Sequence, residues 1–173
     1  TLILVSGMWR MATQNVLVKR LQAVEALGQT TVIAVDKTGT VTKNELVIRK
    51  VYISGKFYEI KGSGYEPKGD IEYEGNIVDP LNHSDLLFAG RIAAFCANAR
   101  IVYLREENRW HIAGDPTEAS MLVFADKIGF RKEDLERELP KLAEIPFNYK
   151  TKYHATVHNV EGKSFLTVVG APE

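Results

Sequence analysis

A carboxylate stands where a buried strand should end: Asp36, followed by Lys37, Thr38, Gly39 and Thr40, comes directly after the apolar, β-branched run from Thr31 to Val35. Such a run fits a strand covered on both faces, as in a parallel sheet between helices. Ligands of these sheets sit at the carboxyl ends of the strands. Lys37 brings a cation, Thr38 and Thr40 bring hydroxyls and backbone donors, and Gly39 permits a sharp turn close to a phosphate. A carboxylate in that setting can attack a γ-phosphoryl group and form an aspartyl phosphate.

Two positions after the nucleophile stands Thr38, where phosphatases of the same sheet class commonly place a second Asp as general acid. A threonine hydroxyl is a far weaker proton donor, so a phosphoenzyme formed here is expected to persist. The heptapeptide from Asp36 to Thr42, DKTGTVT, continued by Lys43-Asn44-Glu45, resembles the phosphorylation motif of the P-type ATPases. That resemblance implies a cation pump driven by ATP, with Asp36 as phosphoryl acceptor and Lys37 and Thr38 at the phosphate. It also implies a magnesium ion held by the Asp36 carboxylate and the Thr38 backbone carbonyl. Two rival readings are a soluble haloacid-dehalogenase-type phosphatase with a cap inserted after the nucleophile strand, and a non-enzymatic nucleotide-binding module.

Three later segments resemble the nucleotide-binding domain of the same ATPases, in the same order. Gly114-Asp115-Pro116-Thr117-Glu118 resembles the GDPTE segment and implies that Glu118 approaches the adenine amino group. On residue types alone Glu118 is the reciprocal acid of a capping box, with Asp115 as N-cap and Pro116 at the first helical position. Pro146-Phe147 followed by Lys152 is similar to the PF…K segment, implying that Phe147 stacks on the adenine ring and that Lys152 lines the pocket, with Lys150 as the lesser alternative. A purine face needs an aromatic or apolar platform. A Phe at a strand end is otherwise a core residue. The segment Val169-Gly170-Ala171-Pro172-Glu173 resembles the KGAPE motif with Val169 in the lysine's place, which removes a cation from the pocket wall. Cys96-Ala97-Asn98-Ala99-Arg100-Ile101 resembles a helix-to-strand junction of the ion-pumping members, with a structural role. No histidine forms the His-Pro dipeptide of the heavy-metal branch, so the resemblance points to the branch that pumps light cations.

Bulk composition agrees with a globular chain: of 173 residues, 45% are hydrophobic and 25% charged. The 22 basic and 22 acidic residues balance, so no basic excess argues for nucleic acid. Cys96 is the sole cysteine, which excludes a disulfide framework and fits a reducing, cytosolic setting, with a small buried thiol as the bland role. Histidines at 83, 111, 154 and 158 have no metal-ligand spacing. The apolar start, Leu2 to Val5, falls far short of the ~20 residues that cross a bilayer. The chain reads as a segment of a longer protein, a soluble piece on the cytoplasmic face of a membrane.

The elements that must position these residues follow from periodicity. Leu17, Leu21, Val24 and Leu27 predict a helix over residues 8–27 closed by Gly28, though Val16-Leu17-Val18 could equally be a short strand. After Asp36 come short alternating segments near 45–53, 56–61 and 71–74, separated by the turn-rich stretch of Gly62, Gly64, Pro67 and Gly69. A helix is predicted from Asn82 or Ser84 to about Ala97, a hairpin over 100–105 and 109–113, and a helix from Asp115 to Gly129. A charged helix over 132–139 and three strands near 143–147, 152–160 and 164–169 complete the pattern. The fold class is therefore α+β: an antiparallel sheet flanked by helices, preceded by the first strand of a Rossmann-like, haloacid-dehalogenase-type phosphorylation domain. By the resemblance, residues 1–30 form an approach from the membrane stalk, 31–43 begin the phosphorylation domain, and 44–173 are a nucleotide-binding domain that continues beyond Glu173. Its partners are then ATP, magnesium, and the remaining phosphorylation, actuator and transmembrane parts of the pump.

Overall fold

Antiparallel pairing dominates the computed structural model, which describes residues 2–171. The chain divides into two units, Thr1–Asn44 and Glu45–Glu173. In the first lie helix α1 (Leu2–Ala12), helix α2 (Gln22–Gly28) and a wide turn over Lys37–Val41. The helix expected over 8–27 is thus two shorter ones. Asn15 takes a positive φ of 60°, which no continuous helix accommodates, and Val16-Leu17-Val18 is neither helix nor strand.

The strand expected over Thr31–Val35 does not form here. A strand buried on both faces needs a paired neighbour and covering helices, and among the described residues none pairs with this run. Val32 and Ile33 remain 80% and 76% exposed.

Among the described residues the second unit is built from three antiparallel sheets, three α-helices and a short 3-10 turn at Pro80–Asn82. Strands β1 (Lys50–Ile53), β2 (Lys56–Ile60), β3 (Ile71–Tyr73) and β4 (Asn76–Val78) form a meander in sequential order. The reading of the sequence stopped at the third strand. Glu74-Gly75, with φ of 51° and 79°, make the tight turn that folds Asn76–Val78 back onto it. Helix α3 (Ser84–Phe95) leads to the hairpin β5 (Arg100–Leu104) and β6 (Arg109–Ala113). Then come α4 (Pro116–Ile128), α5 (Lys132–Glu138) and the sheet β7 (Lys141–Ile145), β8 (Tyr153–Val160) and β9 (Lys163–Gly170).

Helices α3 and α4 are the hub. Tyr58, Ile60 and Ile71 from the meander pack with Leu86, Ala93 and Ala94 of α3 and with Phe124, Ala125 and Ile128 of α4. Small residues on α3 allow close packing. A side chain at Gly90 would meet Ile128 and Phe130 at 3.1 Å. A second cluster joins Tyr65, Ala97 and Ala99 to Ala119, Leu122 and Val123 on α4, with Trp110 and Ile112 of β6 against it. On β8, alternation turns His154, Thr156 and His158 to one face, and all three are buried. His158 stacks on Phe95 with ring centroids 4.0 Å apart.

Candidate functional site

Asp36 lies in the first unit, while Glu118, Phe147 and Lys152 lie in the second. The run after Asp36 is a turn rather than a continuing chain. Gly39 has φ of 77°, and the Thr42 amide donates to the Lys37 carbonyl at 3.0 Å. The Thr42 hydroxyl donates to that same carbonyl at 3.3 Å and accepts from the Gly39 amide at 3.4 Å. A left-handed residue is needed to close the loop, which is why glycine sits there. Asp36 itself has extended backbone at the mouth of the turn, and Asp36, Lys37 and Thr38 are all exposed. Among the described residues nothing pairs with the Asp36 carboxylate, so it is open to a reacting partner.

Glu118 differs from its expected cap role. Asp115 is the N-cap, its Oδ1 accepting from the Thr117 and Glu118 amides at 2.7 and 3.2 Å. The reciprocal half of the box is absent. Glu118 Oε2 instead accepts from the Asn98 and Ala99 amides at 2.8 and 3.1 Å. Those donors lie just past the end of α3, and tying them to the first turn of α4 satisfies backbone that the turn leaves unpaired. Asp115 alone serves the start of α4, so Glu118 is released for the junction. Gly114 fits this closeness, since a side chain there would come within 3.0 Å of Ala99.

The other Glu118 oxygen, Oε1, faces Nδ1 of His154 at 3.8 Å. His154 Nε2 in turn donates to Glu144 Oε1 at 3.0 Å, because a carboxylate can only accept. Glu144 also accepts from the Asn98 side-chain amide and from Lys141, and Lys141 reaches Asn98 Oδ1 at 3.2 Å. The Lys141 ammonium, helped by Asn98 and His154, holds the Glu144 carboxyl at about 2, far below the usual carboxylate range. These four polar residues were missed in the sequence. The one available signal was that His154 stands two positions beyond Lys152, at the start of the strand that follows the turn.

Phe147 and Lys152 bracket a tight turn. Asn148 Oδ1 accepts from the Lys150 amide at 2.8 Å, and the Asn148 carbonyl accepts from the Lys152 amide at 2.6 Å. Phe147 is half exposed rather than buried in the core, its ring perpendicular to that of Tyr149 with centroids 5.3 Å apart. Lys152 has φ of 55°, and its carbonyl accepts from the Ala171 amide at 3.0 Å. Gly170 permits that approach, because a side chain there would stand 2.5 Å from the Lys152 carbonyl oxygen. Val169 is half buried and pairs across the sheet with His154. The residues Pro172 and Glu173 of the last motif lie outside the described residues. Among the described residues no group of three or more His, Cys, Asp or Glu side chains could hold a metal ion, and no helix is long and apolar enough to cross a membrane.

Comparison with known proteins gives one consistent answer. The family described as "P-type ATPase, cytoplasmic domain N" matches residues 87–173. Over its whole length the chain is 37% identical to a cation-transporting ATPase, pma1, of Synechocystis and 38% identical to the probable cation-transporting ATPase F of Mycobacterium tuberculosis, covering 19% of each. It is 34% identical to a calcium-transporting ATPase of Bacillus subtilis, again with all of this chain and 19% of that protein aligned. The chain therefore spans about a fifth of the length of these relatives.

Proposed function

The chain belongs to the P-type cation-transporting ATPases, and from that premise we propose that it carries the phosphoryl acceptor and the ATP pocket of a cation pump. In this reading residues 45–173 bind ATP, and Asp36 takes the γ-phosphoryl group as an aspartyl phosphate. Hydrolysis of that phosphate drives cation movement through membrane parts of the parent protein. The observation that carries the reading is the closed turn over Lys37–Val41 with an unpaired, exposed carboxylate at its mouth.

The residue roles follow from chemistry. Asp36 attacks the phosphorus, and the bond to the leaving ADP oxygen breaks. Lys37 offsets charge on the phosphoryl oxygens. Thr38 supplies no strong general acid to speed breakdown. Phe147 offers its half-exposed ring to the adenine ring, Glu118 offers Oε1 to the adenine amino group, and Lys152 lines the pocket. Val169 leaves the wall opposite His154 uncharged.

For magnesium, the Asp36 carboxylate and the Thr38 carbonyl give two oxygen donors. That set fits an ion which keeps several waters and shares ligands with substrate phosphates. When bound, the ion neutralises charge on the transferring group.

Titration of ATP into the chain, followed by chemical shifts, tests the pocket. Phe147→Ala is expected to weaken binding by roughly 5- to 150-fold, the loss of one stacking contact. Equal affinities would remove the reading. For the acceptor, incubation of the full-length pump with ATP labelled on the γ-phosphate should give an acid-stable phosphoprotein in wild type and none in Asp36→Asn.

A further inference from the structure

A cleft of about 270 Å³ opens where α4, the start of α5 and the hairpin β5–β6 meet, and none of Glu118, Phe147 and Lys152 lines it. One wall is apolar: Pro67, Ile101 of β5 and Trp110 of β6 stand with Leu122 of α4. The second buried cluster holds this wall, since Leu122 belongs to it and Ile101 and Trp110 pack against it. The other wall is acidic. Asp126 follows Leu122 by four residues, so the two share a face of α4 one turn apart, and Glu133 joins Asp126 from the first turn of α5.

Among the described residues neither the Asp126 nor the Glu133 carboxylate makes a hydrogen bond or an ion pair. The two cations of the cleft are unequal. Lys132 is committed, donating to the Ala97 carbonyl and pairing with Glu136 at 3.5 Å. Arg131 offsets one carboxylate and leaves the other negative charge unbalanced. A desolvated carboxylate without a partner is costly. Burial accordingly pushes Asp126 up to about 6, with Glu133 and Asp134 adding repulsion and Arg131 opposing it.

We propose that this cleft is a second ligand site, taking a small organic ammonium ion with its charged head between Asp126 and Glu133 and its apolar body against Trp110 and Leu122. The site is independent of the nucleotide reading above. An anion there would meet two carboxylates. A neutral apolar molecule would strip water from Asp126 and return no hydrogen bond. A divalent cation held by two carboxylates keeps most of its waters, to which Pro67, Ile101 and Leu122 offer no side-chain acceptor, and no group of three or more His, Cys, Asp or Glu among the described residues could hold a metal. An ammonium ion suits both walls. Its N–H groups make charge-assisted hydrogen bonds to the carboxylates, and Trp is the best aromatic partner for a cation. The cleft lies just below the usual range of ligand pockets, about 300–1,000 Å³, which restricts the body to a small one.

The probe is 2-phenylethylammonium, with 2-phenylethanol as its uncharged counterpart of like shape. Each is titrated into the intact chain at about pH 7.5, where Asp126 is ionised and the amine is charged. Binding is read from the indole N–H signals of the two tryptophans, Trp9 in the first unit serving as the control. Trp110 and the amides of Leu122 and Asp126 are expected to shift saturably with millimolar amine while Trp9 stays. The alcohol is expected to bind about tenfold more weakly or worse, the loss of a charge-assisted hydrogen bond. Asp126→Asn removes the charge, keeps the shape and relieves a buried carboxylate, so its folding is not at risk. It should weaken the amine by about tenfold or more and leave the alcohol unchanged. Equal affinities for amine and alcohol, or an Asp126→Asn chain that binds the amine as tightly as wild type, overturn the proposal. So does the absence of a saturable shift at Trp110.

Discussion

Glu144 and Asp126 are both carboxylates of the second unit, and their surroundings drive them in opposite directions. Glu144 is held at about 2 by Lys141, Asn98 and His154. Its folded value lies below the unfolded one, so the stability it contributes is present above the ordinary carboxylate range and is lost as pH falls towards 2. Glu144→Gln should therefore cost about 1 kcal/mol at pH near 7, a figure discounted for its partial exposure, with the gap narrowing as pH drops below about 4. Urea melts of wild type and variant across that range check it; a gap that stays constant would show that packing rather than charge is lost. Asp126 is raised to about 6 by burial on α4, with Glu133 adding repulsion. Here the unfolded chain releases its proton first, so stability falls as pH rises from about 4 to 6 and stays lowered above. Asp126→Asn should then raise stability by about 1 kcal/mol at neutral pH and by nothing near pH 3.5, as read from melting temperatures. Neither residue is conspicuous in the sequence, because Glu144 draws on His154 and Asn98, 10 and 46 positions away, besides nearby Lys141, and Asp126 on helix packing.

At the scale of elements, the open end of the β8–β9 pair, where Tyr153 meets Gly170, depends on a single glycine. Gly170 faces the carbonyl of Lys152, and a methyl group there would meet that oxygen at 2.5 Å and the Tyr153 side chain at 2.7 Å. The backbone of Lys152 cannot move aside freely, since it already closes the turn with Asn148. Gly170→Ala is expected to cost about 1–3 kcal/mol through overpacking and to weaken ATP binding as Lys152 shifts. A melt at wild-type temperature with unchanged ATP affinity would show that the approach is not required. Much of this unit was legible because its signals are local: Asp115 and Pro116 open α4, Gly129 closes it with φ of 104°, and Glu106-Glu107-Asn108 turn β5 into β6. The capping-box bond that residue types allow Glu118 is not made, for the opposite reason. Its helix position fits a capping box, but the amides of Asn98 and Ala99, about twenty positions earlier, compete for its oxygen and win. Thr31–Val35 shows the same limit, since an apolar run predicts a strand only where another strand exists to pair with it.

At the scale of the whole molecule, the two units differ in what holds them. The second has two buried clusters that share α4, whereas no described residue from 2 to 44 is buried. Helices as short as Leu2–Ala12 and Gln22–Gly28 are marginal without tertiary packing, because about two or three turns do not repay nucleation. Local opening should therefore cost close to nothing in the first unit and approach the global unfolding free energy in α4 and β8. Hydrogen exchange on the intact chain reads this directly. Amides from Leu2 to Asn44 are expected to exchange within seconds, while those of Leu122, Val123 and Thr156 persist until global unfolding, a spread of about 10³-fold or more. Saturating ATP should slow exchange around Phe147, Lys152 and His154 and leave the turn after Asp36 unchanged, because on the proposed function binding and phosphoryl acceptance reside in different units. Equal protection of both units would show that the turn bearing Asp36 is held as firmly as the nucleotide pocket. A slowing at Asp36 comparable to that at Phe147 would instead mean that ATP engages the acceptor turn on binding.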